Sequence, residues 1–453
     1  MRVRRFEWRE GNVGAAAAAL AREIRAWATA AAQPVDVREI GDAVASGGDA
    51  ALIELTLRYD ATDRPAVWSP RVDLERCREA LAGLEPDLRR ALEVAAANVR
   101  EVAEAQVRDH PIELTLADGQ RISVREVPVG AAGIYAPGGA IAYPSSLIMG
   151  AIPARAAGVG RIVVCTPPRP DGNLPEVMLA AAALCGVDEL YAVGGAQAIF
   201  AMARGTETIA PVDVIAGPGS RRVQEAKRAV FGEVGIDSIA GPSELMVIPG
   251  PDSDQEPLGL DLAAQAEHGD EGLLVVATAG MAAEPFAQAA ERITAARPGV
   301  REAPLALVEA PDAAAAEALA EAIAPEHLQL DLDRDPAAAD RPGPLTRALA
   351  ARLTTPGCVL SGPCSATAFG DYAAGSNHVL PTGGAGRFCG PLGPGTFRRR
   401  ITGLELDAAA AGALAPVVDR IAREEGLPVH GESALARAGR ESGGTGQDRG
   451  QAD

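Results

Sequence analysis

Aromatic side chains are scarce in this chain: Phe, Trp and Tyr together make up 3% of 453 residues. The core must therefore be built from Ala, Val, Leu and Ile. Histidine is scarcer still, with five in all, at His110, His268, His327, His378 and His430. So few make each position informative, since imidazole both moves protons near neutral pH and ligates metals. The six cysteines, Cys77, Cys165, Cys185, Cys358, Cys364 and Cys389, contain no CxxC pair. Their surroundings are mostly apolar or Gly-rich, which predicts buried, free thiols and a cytoplasmic location. No run of 18 uncharged, strongly apolar residues occurs, which excludes a transmembrane helix of the ordinary kind. The basic start MRVRRFEWRE leads into an alanine-rich, charge-flanked helix (14–30) rather than a signal peptide.

Positive charge is also in deficit. Lys and Arg number 42 against 61 Asp and Glu, a net charge of −19. A chain so acidic is repelled by nucleic acid and by anionic lipid, so neither is an expected partner. What remains is an ordinary globular composition, 47% hydrophobic and 23% charged, long enough for two or three domains.

Apolar periodicity divides the chain. Residues 1–125 read as mainly helical, with patches at 14–30, 36–58 and 84–108 and a turn at Gly47-Gly48 where Asp49 could cap a helix. Residues 126–238 alternate strands (131–136, 161–165, 189–194, 212–216) with helices (145–157, 175–185, 196–204, 220–231). Residues 239–400 repeat the alternation, with strands at 244–249, 272–277, 304–309 and 357–361 and helices near 257–268, 281–296 and 312–324. Alternation of this kind predicts right-handed crossovers and parallel sheets. The expected fold is α/β, two Rossmann-like domains facing one another. A helical C-terminal segment (401–435) and a polar, Gly-rich tail (436–453), expected to be disordered, complete the chain.

Four of the five histidines lie beside other polar groups. Gln265 and His268 sit three apart on one helix face, which suits half a metal site or simply a polar helix end. Glu326 and His327 are adjacent in APEHL and supply two proton-transfer groups, or a surface loop. Asp371, Asn377 and His378 fall in DYAAGSNHVLPT, a Gly- and Pro-constrained loop of the kind that binds ligands. Glu425 and His430 lie in EEGLPVH, around a helix C-cap at Gly426. The GxGxxG fingerprint is absent. Val193-Gly194-Gly195-Ala196-Gln197 and Ala216-Gly217-Pro218-Gly219-Ser220 each follow a strand and open a helix, where backbone N–H groups favour an anion or a tight turn merely requires glycine. Ser243, in AGPSE, joins the two α/β regions and is either a ligand contact or a linker residue.

Together these segments resemble the histidinol dehydrogenase family. The resemblance runs from GGDAALIELTLRYD (47–60) through GIYAPGG, VGGAQAI, GPGS…EAKR, AGPSE, QAEH, APEHL and DYAAGSNHVLPT to EEGLPVH, in that order. It implies one zinc ion per subunit held by Gln265, His268, Asp371 and His430. It implies Glu326 and His327 as the acid/base pair. Substrate contacts fall to Ser243, His327, His378 and Glu425 together with the metal ligands. NAD contacts fall to Tyr135, Gln197 and Ser220, the last standing where the family usually has Asn. The implied reaction is oxidation of L-histidinol to L-histidine through a bound aldehyde, using two NAD+, the closing steps of histidine biosynthesis. The implied assembly is a homodimer with exchanged C-terminal segments and shared sites. The alternative is a paralogue that oxidises another primary alcohol, such as a sulfonated diol, on the same scaffold.

Overall fold

The alternating apolar segments become two open parallel sheets in a computed structural model that describes residues 1–30, 34–63, 69–139, 141–297, 300 and 302–438. Contacts divide the chain into two compact units. One contains residues 1–106 and 129–397; the other contains 107–128 and the chain from 398 onward.

Both sheets belong to the first unit. The first runs Arg71–Val72, Glu189–Ala192, Arg161–Thr166, Ala131–Tyr135, Val214–Ala216, Gly235–Ile236. All its pairs are parallel except that of Arg71–Val72 with its neighbour. The second runs Arg2–Phe6, Pro304–Ala310, Leu273–Ala279, Glu244–Pro249, His327–Asp331, Cys358–Ser361, parallel throughout. Each sheet starts its series in the middle, places the next two strands on one side and returns to place the last two on the other. This repeated order is the doubly wound Rossmann-like arrangement that the alternation predicts.

Strands such as Arg161–Thr166 and Leu273–Ala279 are buried along almost their whole length. That is why their sequences are nearly unbroken apolar runs, as expected of a sheet covered on both faces. Alternate side chains enter opposite cores. Ile134, Val164 and Leu190 pack with Leu147 and Ile148 on one face of the first sheet, whereas Val163 and Ile215 meet Ile199 and Phe200 on the other. In the second sheet Met246 and Val275 pack with Ile24 and Leu319, and Leu245 and Val276 with Leu262 and Phe286. Each such side chain contributes roughly 1.5–3 kcal/mol of burial.

Three local expectations change. The first residues are not helical: Arg2–Phe6 is an edge strand of the second sheet, paired with Pro304–Ala310. Asp49 does not cap a helix. Gly48 breaks Arg38–Tyr59 at φ 52°, and the carboxylate of Glu207 accepts from the Asp49 N–H at 2.6 Å. Asp49 instead accepts from the Thr208 hydroxyl at 3.1 Å. The APEHL segment is only half loop, because His327 opens the strand His327–Asp331.

The second unit has an antiparallel sheet in the order Arg398–Glu405, Arg121–Pro128, Ile112–Thr115. Its helices Ala408–Glu424 and Pro428–Leu435 pack on each other. The tail expected to be disordered falls outside the described residues from 439 onward. Among the described residues no helix is long and apolar enough to cross a membrane. All six cysteines are free; Cys77, Cys165 and Cys185 are buried, whereas Cys358 and Cys389 are half-buried and Cys364 is exposed.

Candidate active site

The carboxyl-terminal edge of the first sheet and the amino-terminal edge of the second line one cavity of about 350 Å³. At the carboxyl-terminal edge of the second sheet, by contrast, the ends of two neighbouring strands are tightly packed. There Gly250 packs so closely that a Cβ would lie 1.9 Å from the Leu332 carbonyl oxygen. The Gly250 N–H also donates to the Asp331 carbonyl at 2.9 Å.

Glu326 and His327 enter the cavity from a forced turn. Helix Ala313–Ile323 ends at Ala324, a non-glycine residue held at φ 47°, ψ 62°. Such a conformation costs about 1 kcal/mol or more and persists only where the surroundings impose it. Pro325 then ends any helical continuation. Glu326 is 6% exposed and His327 4%. The Glu244 N–H donates to Glu326 Oε2 at 2.8 Å. Burial pushes the Glu326 carboxyl up to about 7. The His327 charge and the Glu244 N–H oppose that rise, while the carboxylates of Glu244 and Asp371 reinforce it.

His327 Nε2 lies 3.3 Å from Asp371 Oδ1. Its Nδ1 lies 3.8 Å from Glu326 Oε2, beyond hydrogen-bond reach, and makes no hydrogen bond of ordinary geometry among the described residues. Burial alone would lower the imidazole pKa; the Asp371 hydrogen bond and the two nearby carboxylate charges outweigh it and raise it. Burial likewise opposes ionisation of Asp371, but its His327 partner holds the carboxyl below the usual range.

His378 is locked at both nitrogens. Its Nδ1 lies 2.7 Å from the Asp371 carbonyl oxygen, which can only accept, so Nδ1 carries the proton. Nε2 therefore accepts from the Ser146 hydroxyl at 3.2 Å. Burial lowers the pKa of this ring, keeping it neutral. It thereby fixes the backbone of Asp371 and the start of helix Pro144–Ala156.

Gln265 lies at the end of helix Gln255–Ala266, and His268 follows one turn later. Both line the cavity with Asp371, and Ser243 completes that wall. Gln265 is buried, and its side chain belongs to the wall of this cavity. One amide, one imidazole and one carboxylate facing a common space form a donor set that suits zinc. Among the described residues no three His, Cys, Asp or Glu side chains gather into a metal-binding group. His430 and Glu425 belong to the second unit, are exposed, and do not line this cavity.

On the first sheet the Tyr135 hydroxyl accepts from the Gly195 N–H at 3.1 Å, and burial raises its phenol far above the ordinary value. Gln197 is buried, and its Nε2 has no hydrogen-bond partner among the described residues. Ser220 is exposed at the start of helix Arg221–Val230 and lines the cavity. A wider opening of about 860 Å³ shares Ser220, Ser243 and His268 with it.

Arg25 and Glu244 escape a reading of motifs alone. Arg25 grips the Glu244 carboxylate through two bonds of 2.6 and 3.1 Å and the Ile323 carbonyl at 2.5 Å, directly behind Glu326. Glu244 stands in the AGPSE motif, a signal that could have found it; nothing local marks Arg25, 219 residues away.

Two Rossmann-like sheets around a polar cavity that holds an acid–imidazole pair have the build of an α/β enzyme that works by proton transfer. The sequence profile of the family described as histidinol dehydrogenase matches residues 25–438. The chain is 42% identical over 410 residues to the histidinol dehydrogenase of Ruegeria pomeroyi, covering 88% of this chain and 91% of that one. It is 40% identical over 408 residues to that of Gluconobacter oxydans, covering 88% and 92%. The crystal structure of histidinol dehydrogenase from Elizabethkingia anophelis superimposes with a TM-score of 0.83 at 27% identity, covering 96% of this chain and 97% of that one. The chain belongs to the histidinol dehydrogenase family and is an oxidoreductase.

Proposed function

We propose that the protein oxidises L-histidinol to L-histidine through an enzyme-bound aldehyde, with two NAD+ consumed per turnover. The observation that carries this reading is the buried Glu326–His327 pair beside Asp371, facing a cavity that also holds Gln265 and His268. Four-electron oxidation of an alcohol needs a base for the hydroxyl proton and a base for the water that hydrates the aldehyde. Two distinct proton acceptors stand here side by side.

Gln265, His268, Asp371 and His430 would hold one zinc ion, which when bound supplies a Lewis-acidic template for the amino alcohol. Tyr135, Gln197 and Ser220 would contact NAD+, which when bound supplies the hydride acceptor. His327 accepts the hydroxyl proton in the first oxidation. Glu326, poised near neutrality by burial, then takes a proton from water as it adds to the aldehyde. Ser243 and His378 would contact the substrate, His378 by exchanging its Nε2 bond to the Ser146 hydroxyl for one to the substrate. Retaining the aldehyde in a cavity of this size keeps a reactive carbonyl from bulk water.

We further propose a homodimer in which the partner subunit's second unit delivers the residues equivalent to Glu425 and His430. The second unit exposes Leu404, Val417, Ile421 and Val429, at 53–70% each, an apolar surface that suits burial in an assembly. Six free thiols suit the reducing cytoplasm.

The test is the stoichiometry of NADH formed from limiting L-histidinol by zinc-loaded protein. Two NADH per histidinol, abolished by chelation and restored by zinc, supports the proposal. No NADH from a folded, zinc-loaded protein refutes the choice of substrate and points to another primary alcohol on this scaffold.

A further inference from the structure

Lys227 lies in helix Arg221–Val230 and is fully buried, at 0% exposure. It forms an ion pair with Asp237, whose side chain is also buried. Both members of the pair reach the same residue. Lys227 Nζ donates to the Gly217 carbonyl at 3.0 Å, and Asp237 Oδ2 accepts from the Gly217 N–H at 2.8 Å. Asp237 Oδ1 accepts in addition from its neighbour Ser238 N–H at 2.7 Å. One buried charge pair therefore holds both backbone polar groups of a single glycine.

That glycine opens the turn Gly217-Pro218-Gly219-Ser220, whose last three residues line the catalytic cavity. Its φ is +128°, and a Cβ there would lie 2.0 Å from the Tyr135 carbonyl oxygen. A Cβ on Gly219 would lie 3.1 Å from the Tyr135 ring at Cε1. The turn is thus pressed against the end of the central strand on one side and clamped by Lys227 and Asp237 on the other. Buried ion pairs are weak sources of stability, and apolar residues of equal volume often replace them without loss. A charged pair whose bonds converge on one turn is better accounted for by the geometry it imposes.

We infer that Lys227 and Asp237 are positioning residues that fix the Gly217–Ser220 turn for the dinucleotide. This rests on the cofactor reading given above, in which Tyr135 and Ser220 contact NAD+. The pair acts through the turn and leaves the ligands Gln265, His268 and Asp371 untouched. Its loss should weaken NAD+ and spare the metal and the alcohol.

The test is a double variant, Lys227→Met with Asp237→Leu, which fills the space with apolar atoms and releases Gly217 from both sides. NAD+ dissociation constants are measured by calorimetry on the zinc-loaded protein, beside zinc content, L-histidinol binding and the melting temperature. The expected result is NAD+ binding weakened by about tenfold or more, the effect of losing hydrogen bonds to charged partners. KM for NAD+ should rise in parallel, with zinc content, alcohol binding and melting temperature close to wild type. NAD+ binding equal to wild type overturns the inference, and so does a joint fall in NAD+ binding, zinc content and melting temperature. If the double variant does not fold, Asp237→Asn, which strands the Lys227 charge and so must lower the melting temperature, is scored on NAD+ binding against zinc content and alcohol binding alone. A wild-type protein that binds no NAD+ overturns the cofactor reading and this inference with it. Variants that bind as tightly as a binding-competent wild type overturn the inference alone.

Discussion

Replacing Arg25 by Met should destabilise the protein by an amount that can be worked from its bonds. Arg25 makes two charge-assisted bonds to Glu244 and one to the Ile323 carbonyl. Without it, the Glu244 carboxylate, 6% exposed on its side chain, keeps only the Gly383 N–H at 3.0 Å. Leaving one partner of a buried pair behind costs about 3–5 kcal/mol. The Arg25 side chain is 24% exposed, so water reaches one flank and the lower end applies, about 3 kcal/mol. At about 2–4 °C per kcal/mol for a domain of this scale, the melting temperature should fall by roughly 6–12 °C. The double variant Arg25→Met, Glu244→Gln removes the stranded charge and should recover most of that loss. Thermal unfolding followed by circular dichroism reads both. A single variant that melts within about 2 °C of wild type, less than 1 kcal/mol, would refute the reasoning, as would a double variant no more stable than the single.

Three other outcomes are expected. Glu326→Gln should slow the second oxidation by about 10²–10⁴-fold while allowing the first, so that NADH stops near one per histidinol. In the wild type the second step should rise with pH through about 7, where Glu326 loses its proton, and that limb should vanish in Glu326→Gln, as a rate–pH profile would show. Asp261, pushed up to about 6 by burial against the pull of its bond from Gln329, holds a proton that the unfolded chain gives up near pH 4. Stability should therefore fall as pH rises from about 4 to about 6, and Asp261→Asn should flatten that slope in melting temperature against pH. Mixing inactive His430 and His327 variants should restore part of the activity if subunits share sites; mixtures that stay inactive would argue against exchange.

The sequence displays most of the sheet framework because strands buried on both faces must be apolar along their length. Leu273–Ala279 and Glu244–Pro249 are of that kind and are legible as runs. His327–Asp331 is equally buried, but its HLQLD carries three polar groups, His327 facing the cavity, Gln329 bonded to Asp261 and Asp331 paired with Arg334, so its pattern reads as loop. Arg2–Phe6 carries three arginines and is an edge strand, where one flank faces water, and it shows no strand signal. Among site residues, Gln265, His268, Glu326, His327, Asp371 and His378 lie in compact motifs and are brought to one cavity. Arg25 and Ser146 are not legible in this way, and Lys227, although it stands in EAKR, is not marked there as a buried charge. Their roles come from partners distant in sequence or from a burial that no local pattern announces.

The two sheets turn opposite edges to the cavity, and their helices inherit that opposition. Helices Pro144–Ala156 and Arg221–Val230 begin at the cavity wall, where Ser146 and Ser220 lie. Helices Gln255–Ala266 and Ala313–Ile323 end beside it, at Gln265 and just before Glu326. A helix carries about half a positive charge at its start and half a negative one at its end, worth about 0.3–1 kcal/mol to a nearby ion. The peptide dipoles therefore polarise the space between the sheets, favouring anions on the first and cations on the second. Because no titrating side chain creates that field, it persists across the pH range in which the fold survives.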